Sequence, residues 1–91
     1  MKEDAGDFAV ATFHSTYSVL KTEKILKDAG LEKVRLVPVP SDISSDCGVT
    51  VRFLLADLAR VLPLLKPVDE DLEGIFTSTD EGWIPVAGTG G

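Results

Sequence analysis

The sequence contains only one cysteine, one histidine and one tryptophan, and it has no long apolar run. With Cys47 alone, an intramolecular disulfide is excluded and a zinc site would lack most of its thiolates. No segment approaches the roughly 18 apolar residues that a membrane-spanning helix needs. Residues 1–7 are acidic and no signal-peptide-like apolar segment follows them. We therefore expect a reducing, cytoplasmic setting.

Basic side chains are also scarce, since nine Lys and Arg residues stand against fifteen Asp and Glu residues, for a net charge of −6. Nucleic acids and anionic membranes are bound by concentrated Lys and Arg, so neither is expected as a partner. Most of the negative charge lies in residues 66–91, whereas residues 21–35 are net positive. The first predicted helix is thus the one basic surface that a protein partner could use.

Apolar residues, at 44% of a 91-residue chain, are too abundant for a disordered segment. A chain of this length forms one domain with a thin core, and it has little room for an enclosed substrate pocket. We expect a carrier, binding or regulatory module more than a true enzyme, without a cofactor. The predicted domain is folded from residue 8 to residue 86, with a flexible N-terminus at 1–7 and a flexible tail at 87–91.

The first half of the chain predicts a strand, a helix, a strand at a sheet edge and a polar loop. Ser15 or Thr16 is a suitable N-cap for the helix, and Gly30 ends it. Pro38 and Pro40 cannot donate ladder hydrogen bonds, which places the second strand at an edge. The predicted bounds are Phe8–Phe13, a helix from Ser15 to Gly30, Val34–Val39 and a loop over 41–48.

The second half predicts a strand, a helix and a hairpin. Apolar and polar residues alternate with period two over Val49–Leu54, as in a strand with one buried face. Asp57 is the predicted cap of a second helix, which Pro63 should kink or end near Leu62. The segments 75–78 and 83–86 flank a turn and predict the hairpin, with Trp83 as a packing anchor.

This order of elements, βαββαβ, is that of the ferredoxin-like or split βαβ fold, a two-layer α+β sandwich, here with a C-terminal hairpin. In that fold the second and fourth strands form the sheet edges. A right-handed crossover brings the end of the first strand, the start of the first helix and the 41–48 loop to one end of the sheet. We therefore expect His14, the first helical turn and Cys47 to be neighbours.

Several segments resemble a small bacterial family described as selenium or sulfur carrier protein-like. They are Ala11–Thr16, Glu23–Gly30, Arg35–Pro40 and, above all, Ile43–Gly48 with its Cys-Gly pair. The resemblance extends from about Phe8 to Leu65. It implies that Cys47 accepts sulfur or selenium as a persulfide or perselenide and passes it to a partner enzyme. By the same motifs, Gly48, His14 and Ser15 match positions around that site, and a cysteine desulfurase or a selenium-metabolism protein is the implied partner.

The chemistry of a carrier cysteine requires a thiolate, and an ordinary thiol, with a pKa of about 8.5, is only slightly ionised at neutral pH. The N-terminus of the first helix, the His14 imidazole and the Gly48 amide are the expected sources of help. Asp46 would act against them as a neighbouring negative charge. Gly48 would also permit a positive φ and close approach of a partner. We expect this acceptor loop to be exposed.

Other interpretations of these residues remain open. Cys47 and Gly48 can be a turn with an idle, buried thiol, and the chain a regulatory or protein-binding module of ferredoxin-like fold. His14 can serve as a capping or packing residue, and a metal site from His14, Asp46 and Cys47 lacks ligand spacing, so we expect none.

Two arginines, the terminal Gly-Gly and the sheet edges give weaker indications of function and assembly. Arg35 and Arg52 can bind an anion but are assigned to a solvated sheet face. The terminal Gly90-Gly91 resembles ubiquitin-like sulfur carriers, a reading that we reject because their fold begins with a hairpin. The expected assembly is a monomer or a weak homodimer, since edge strands can pair.

Overall fold

A computed structural model describes residues 7–45 and 47–87, in five strands and two α-helices. Residues 1–6 and 88–91, which make up most of the predicted flexible ends, lie outside these ranges, and so does Asp46. The elements are β1 (Phe8–Phe13), α1 (Thr16–Asp28), β2 (Arg35–Pro38), β3 (Val49–Leu54), α2 (Leu58–Leu64), β4 (Leu72–Thr79) and β5 (Gly82–Ala87), with 3-10 turns at Leu55–Asp57 and Lys66–Asp71. No helix in these ranges is long and apolar enough to cross a bilayer.

The five strands form one sheet in the order β2-β3-β1-β4-β5, and every adjacent pair is antiparallel. The predicted α+β class is confirmed. Strand β2 lies at an edge, as its prolines required. The fourth strand is not the other edge, because the hairpin adds β5 outside it.

The core lies between the helices and the sheet face that carries Ala9, Ala11 and Phe13. These side chains alternate along β1 and are fully buried, as are Val19 and Leu26 of α1. The hydrophobic effect of removing this apolar area from water, about 25 cal/mol per Å², is what holds α1 on the sheet. The opposite sheet face carries Val10 and Arg52, and neither α1 nor α2 packs on it.

Helix α1 begins as the sequence predicts, with Ser15 as its N-cap and with its side chain accepting from the Ser18 N–H. Helix α2 differs from the prediction in two ways. Asp57 precedes it without a side-chain capping hydrogen bond, and Pro63 lies inside the helix, which continues to Leu64. Because proline has no N–H, one backbone hydrogen bond of α2 is missing at Pro63.

Candidate functional site

Cys47 lies beside the first turn of α1, in the loop between β2 and β3. Its Sγ is 3.2 Å from Thr16 Oγ1, a distance at which either atom can be the donor. Thr16 is the first residue of α1, directly after the Ser15 cap. The crossover argument therefore placed the cysteine correctly with respect to the first helical turn.

The cysteine is buried, and the expectation of an exposed thiol is wrong. Cys47 is 6% exposed and belongs to the same apolar cluster as Phe13, Val19 and Val51. A free cysteine behaves as a small hydrophobe, so the loop gains stability by turning this side chain inward. The adjacent Gly48 is exposed. The loop thus presents its backbone at Gly48 to solvent and its sulfur to the core.

Ser45 anchors the cysteine loop to two strands. Its Oγ lies 2.5 Å from Glu73 Oε1 and 3.3 Å from the Phe13 carbonyl oxygen, and it accepts the Cys47 N–H at 3.3 Å. One hydroxyl proton is shared between the two acceptors, and the carboxylate is the closer. Sequence reasoning missed both Ser45 and Glu73. The polar run before Cys47 was the only available signal, and nothing in it identified a carboxylate 28 positions away.

His14 is oriented toward Glu73. Its Nδ1 is 3.2 Å from Glu73 Oε2, with the His14 side chain 53% exposed and the Glu73 side chain 16% exposed. One carboxylate therefore contacts both the histidine after β1 and the serine two positions before Cys47. The role predicted for His14 in tuning the thiol stays a prediction.

Ser15 is engaged with Asp71 at the same end of the sheet. Its hydroxyl donates to Asp71 Oδ2 at 2.7 Å, its backbone N–H donates to the same oxygen at 3.1 Å, and its Oγ accepts the Ser18 N–H at 3.3 Å. The role of Ser15 in this structure is thus to cap α1 and to hold the turn before β4 against it. Its predicted participation in binding remains a prediction.

The same contacts change the ionisation of Asp71. Hydrogen bonds from the Ser18 side chain, and then from the Ser15 side chain, hold the pKa of Asp71 below its ordinary value of 3.8, with smaller contributions from the Ser15 backbone and the charge of His14. Partial desolvation acts in the opposite direction. Because these donors favour the carboxylate, Asp71 is ionised at neutral pH.

Gly48 does not have the positive φ expected of it. Among the described glycines, that conformation occurs at Gly30, with φ of 93°, and at Gly82, with φ of 110°. A Cβ built on Gly48 would meet nothing within 4 Å. Neither the backbone conformation nor packing among the described residues therefore requires glycine at position 48.

Within residues 7–45 and 47–87, no group of three or more His, Cys, Asp or Glu side chains could hold a metal ion. The metal site considered from the sequence, made of His14, Asp46 and Cys47, includes Asp46, which lies outside those ranges. The described site contains one thiol, one imidazole, the carboxylates of Asp71 and Glu73, and the hydroxyls of Ser15, Thr16, Ser18 and Ser45.

Comparison with known proteins gives one family. A model described as "Putative Se/S carrier protein-like" matches residues 8–77, a range that includes Cys47 and all the site residues above. Searches of curated proteins and of solved structures found no match.

Proposed function

Because the chain belongs to the Se/S carrier protein-like family, we propose that it accepts sulfur or selenium on Cys47, as a persulfide or perselenide, and delivers it to a partner enzyme in the cytoplasm. The observation that carries this proposal is the position of the only cysteine. It lies within the matched range, on a loop held against the first turn of α1. No other thiol in the chain is available for the role.

The proposed transfer is a thiol–persulfide exchange. The Cys47 thiolate attacks the outer sulfur of a donor persulfide, a new S–S bond forms, the S–S bond of the donor breaks, and the donor cysteine leaves as a thiolate. Delivery is the same reaction in the opposite direction on a recipient thiol. Neither step needs an oxidant, because the sulfur that moves keeps its oxidation state.

Burial of Cys47 makes loop movement part of the proposal. The contacts at Thr16 and Ser45 hold the loop closed. The hydrogen bonds to Thr16 and to the Cys47 N–H contribute about 1 kcal/mol each, and the one to the Glu73 carboxylate about 1.5–3 kcal/mol. Opening the loop therefore costs less than unfolding the chain, which takes about 5–15 kcal/mol. A donor that binds the open form better than the closed form would expose the sulfur.

The surface beside the loop supports a protein donor. Tyr17 and Leu20, which follow Thr16 on α1, are 71% and 51% exposed. Lys21 lies over the Tyr17 ring, with its Nζ 5.8 Å from the ring centroid. Exposed aromatic and aliphatic side chains next to a cation are typical of protein contact surfaces, and we propose that a cysteine desulfurase or a selenium-metabolism protein docks here.

We also assign the fold to the ferredoxin-like type. The element order βαββαβ and the strand order β2-β3-β1-β4 support this assignment, with β5 as an addition at the edge. In this arrangement both the α1 N-terminus and the β2–β3 loop lie at one end of the sheet. The site therefore forms only when the chain folds, because Thr16 begins α1 after β1, whereas Cys47 lies in the loop between β2 and β3.

The test is direct loading of Cys47. The purified chain is incubated with a cysteine desulfurase and cysteine, and in parallel with inorganic polysulfide, and its intact mass is measured. We expect a gain of one sulfur atom in the wild type that dithiothreitol removes, and no gain in Cys47→Ala. If polysulfide loads the unfolded chain but neither donor loads the folded chain, the carrier proposal fails.

A second candidate is a regulatory or protein-binding module in which the thiol is idle. The burial of Cys47 in the apolar cluster favours it. This candidate predicts that Cys47→Ala folds and supports the cellular function as well as the wild type does. Loss of function in Cys47→Ala, with the circular dichroism spectrum and unfolding midpoint retained, would exclude it.

A further inference from the structure

The sheet face away from the helices contains a cleft that plays no part in the carrier proposal. Its volume is about 320 Å³, within the range of small-molecule sites. Val10 and Phe8 of β1 lie on one side, Trp83 of β5 and Pro40 form other walls, and the polar lining consists of Arg52 and Ser78. Within residues 7–45 and 47–87, no Asp or Glu lines it.

Arg52 is the charged group of this cleft. Its guanidinium carbon lies 4.1 Å from the centroid of the Phe8 ring. Its Nε is buried, and it has no hydrogen-bond partner among the residues the structure describes. A buried donor that has lost water without gaining an acceptor is unfavourable, and a ligand acceptor that draws the guanidinium into the cleft would remove this cost.

The strand register adds a second positive charge. Arg35 of β2 is the direct partner of Arg52 of β3. Residues directly opposite each other in antiparallel strands project from the same sheet face. Two like charges at such positions repel each other and destabilise the strand pairing. An anion bound at Arg52 would relieve this repulsion. Arg35 is exposed and does not line the cleft, so it would add positive electrostatic potential without contacting the ligand.

We propose that this cleft binds a small organic carboxylate with a flat apolar body. The planar guanidinium matches a carboxylate, and the stacked Phe8 ring fixes its plane. The apolar and aromatic walls would accept the body of the ligand. The volume suits a molecule of about one ring and a short chain, which makes a folded protein or a nucleic acid a poor occupant.

The test uses 3-phenylpropionate and its neutral amide, 3-phenylpropionamide, with the full chain. Binding is followed by backbone amide chemical shifts and by the fluorescence of Trp83, the only tryptophan. We expect saturable shifts at Val10, Val37 and Ser78. The acid should bind about tenfold more tightly than the amide, as for a hydrogen bond to a charged group. Equal binding of acid and amide, or shifts confined to other surfaces, would overturn the proposal.

Two arginine variants form a matched pair. Arg52→Met should reduce binding of the acid to that of the amide, whereas Arg35→Met, its cross-strand neighbour, should keep most of the preference. Ser78→Phe keeps Arg52 and narrows the cleft, and it should abolish binding of both compounds. If Arg52→Met does not fold, unchanged binding in Ser78→Phe is enough to reject the site.

Discussion

The Sγ atom of Cys47 lies 3.2 Å from the hydroxyl oxygen of Thr16, a residue 31 positions earlier in the chain. This contact joins the β2–β3 loop to the start of α1. It also closes the cysteine into the core, where it is 6% exposed. Under the carrier proposal, we expect the reactivity of the thiol to depend on how often this loop opens.

Removing the Thr16 hydroxyl should make the cysteine more accessible. Thr16→Val keeps the side-chain shape but removes a hydrogen bond of about 1 kcal/mol, so we expect Cys47 to react about fivefold faster with an aromatic disulfide reagent. Thr16→Ser keeps the hydroxyl and should react at the wild-type rate. A slower reaction in Thr16→Val would mean that the hydroxyl activates the sulfur and does not hold the loop.

Ser45→Ala should open the loop further. It removes the contact with the Glu73 carboxylate and the acceptor for the Cys47 N–H. Hydrogen bonds to charged groups contribute about 1.5–3 kcal/mol, so the reaction rate of Cys47 should rise about tenfold or more. Ser44→Ala, at the exposed preceding position, is the matched control. Equal rates in the two variants would show that Ser45 does not anchor the loop.

The stabilising effect of Asp71 should depend on pH. Because its pKa is lower in the folded chain than the ordinary 3.8, its contribution is complete above about 3.8 and is lost as the pH falls through the folded value. Asp71→Asn should thus lower the urea midpoint at neutral pH, and the difference from wild type should shrink in strong acid. Asp69→Asn, on the same 3-10 turn, removes one negative charge but leaves the Ser15–Asp71 hydrogen bonds in place and is the matched control. A difference that stays constant with pH would contradict the ionic role.

Gly30, which follows α1, and Gly48, which follows Cys47, should respond oppositely to substitution by alanine. Gly30→Ala forces a Cβ into a φ of 93° and should destabilise the chain by about 1–2 kcal/mol. Gly48→Ala meets no strain or clash and should be neutral or stabilising by up to about 1 kcal/mol. Under the carrier proposal, Gly48→Ala should still slow loading by a desulfurase. Normal loading would mean that the partner does not approach the backbone there.

Docking on α1 can be separated from the chemistry at Cys47. Tyr17→Ser should slow loading from a desulfurase about fivefold or more, as for a contact residue worth above 1 kcal/mol, and leave loading from polysulfide unchanged. Leu62→Ser removes an exposed apolar side chain, 44% exposed, from α2 and serves as control. If both variants slow loading equally, the α1 surface has no special role.

Much of the fold could be predicted because its signals are local. The bounds of β1 and β3 agree with the predicted strands, and Ser15 caps α1 as expected. Pro38 predicted an edge position for β2 because proline has no N–H to donate to a neighbouring strand, whatever the rest of the fold. Asp57 stands at the N-cap position of α2 as predicted but makes no side-chain capping hydrogen bond, and α2 continues past Pro63 to Leu64.

The site was harder to predict, because its contacts join distant parts of the chain. Topology placed Cys47 near the first turn of α1, but periodicity carries no information about whether a loop side chain turns inward. Glu73 follows a 3-10 turn and contacts both His14 and Ser45. Neither contact leaves a pattern in the sequence, since each depends on the register of β4 against β1.

Pro85 lies in β5 and Pro38 in β2, so each outer strand of the sheet contains a residue without an N–H. The β4–β5 ladder is also irregular between Ile75 and Phe76, where β5 contains an extra residue. Another chain that tried to continue the sheet at either end would meet a missing donor or a distorted strand. We expect these features to oppose growth into sheet-extended aggregates and to disfavour self-association through strand pairing at both ends.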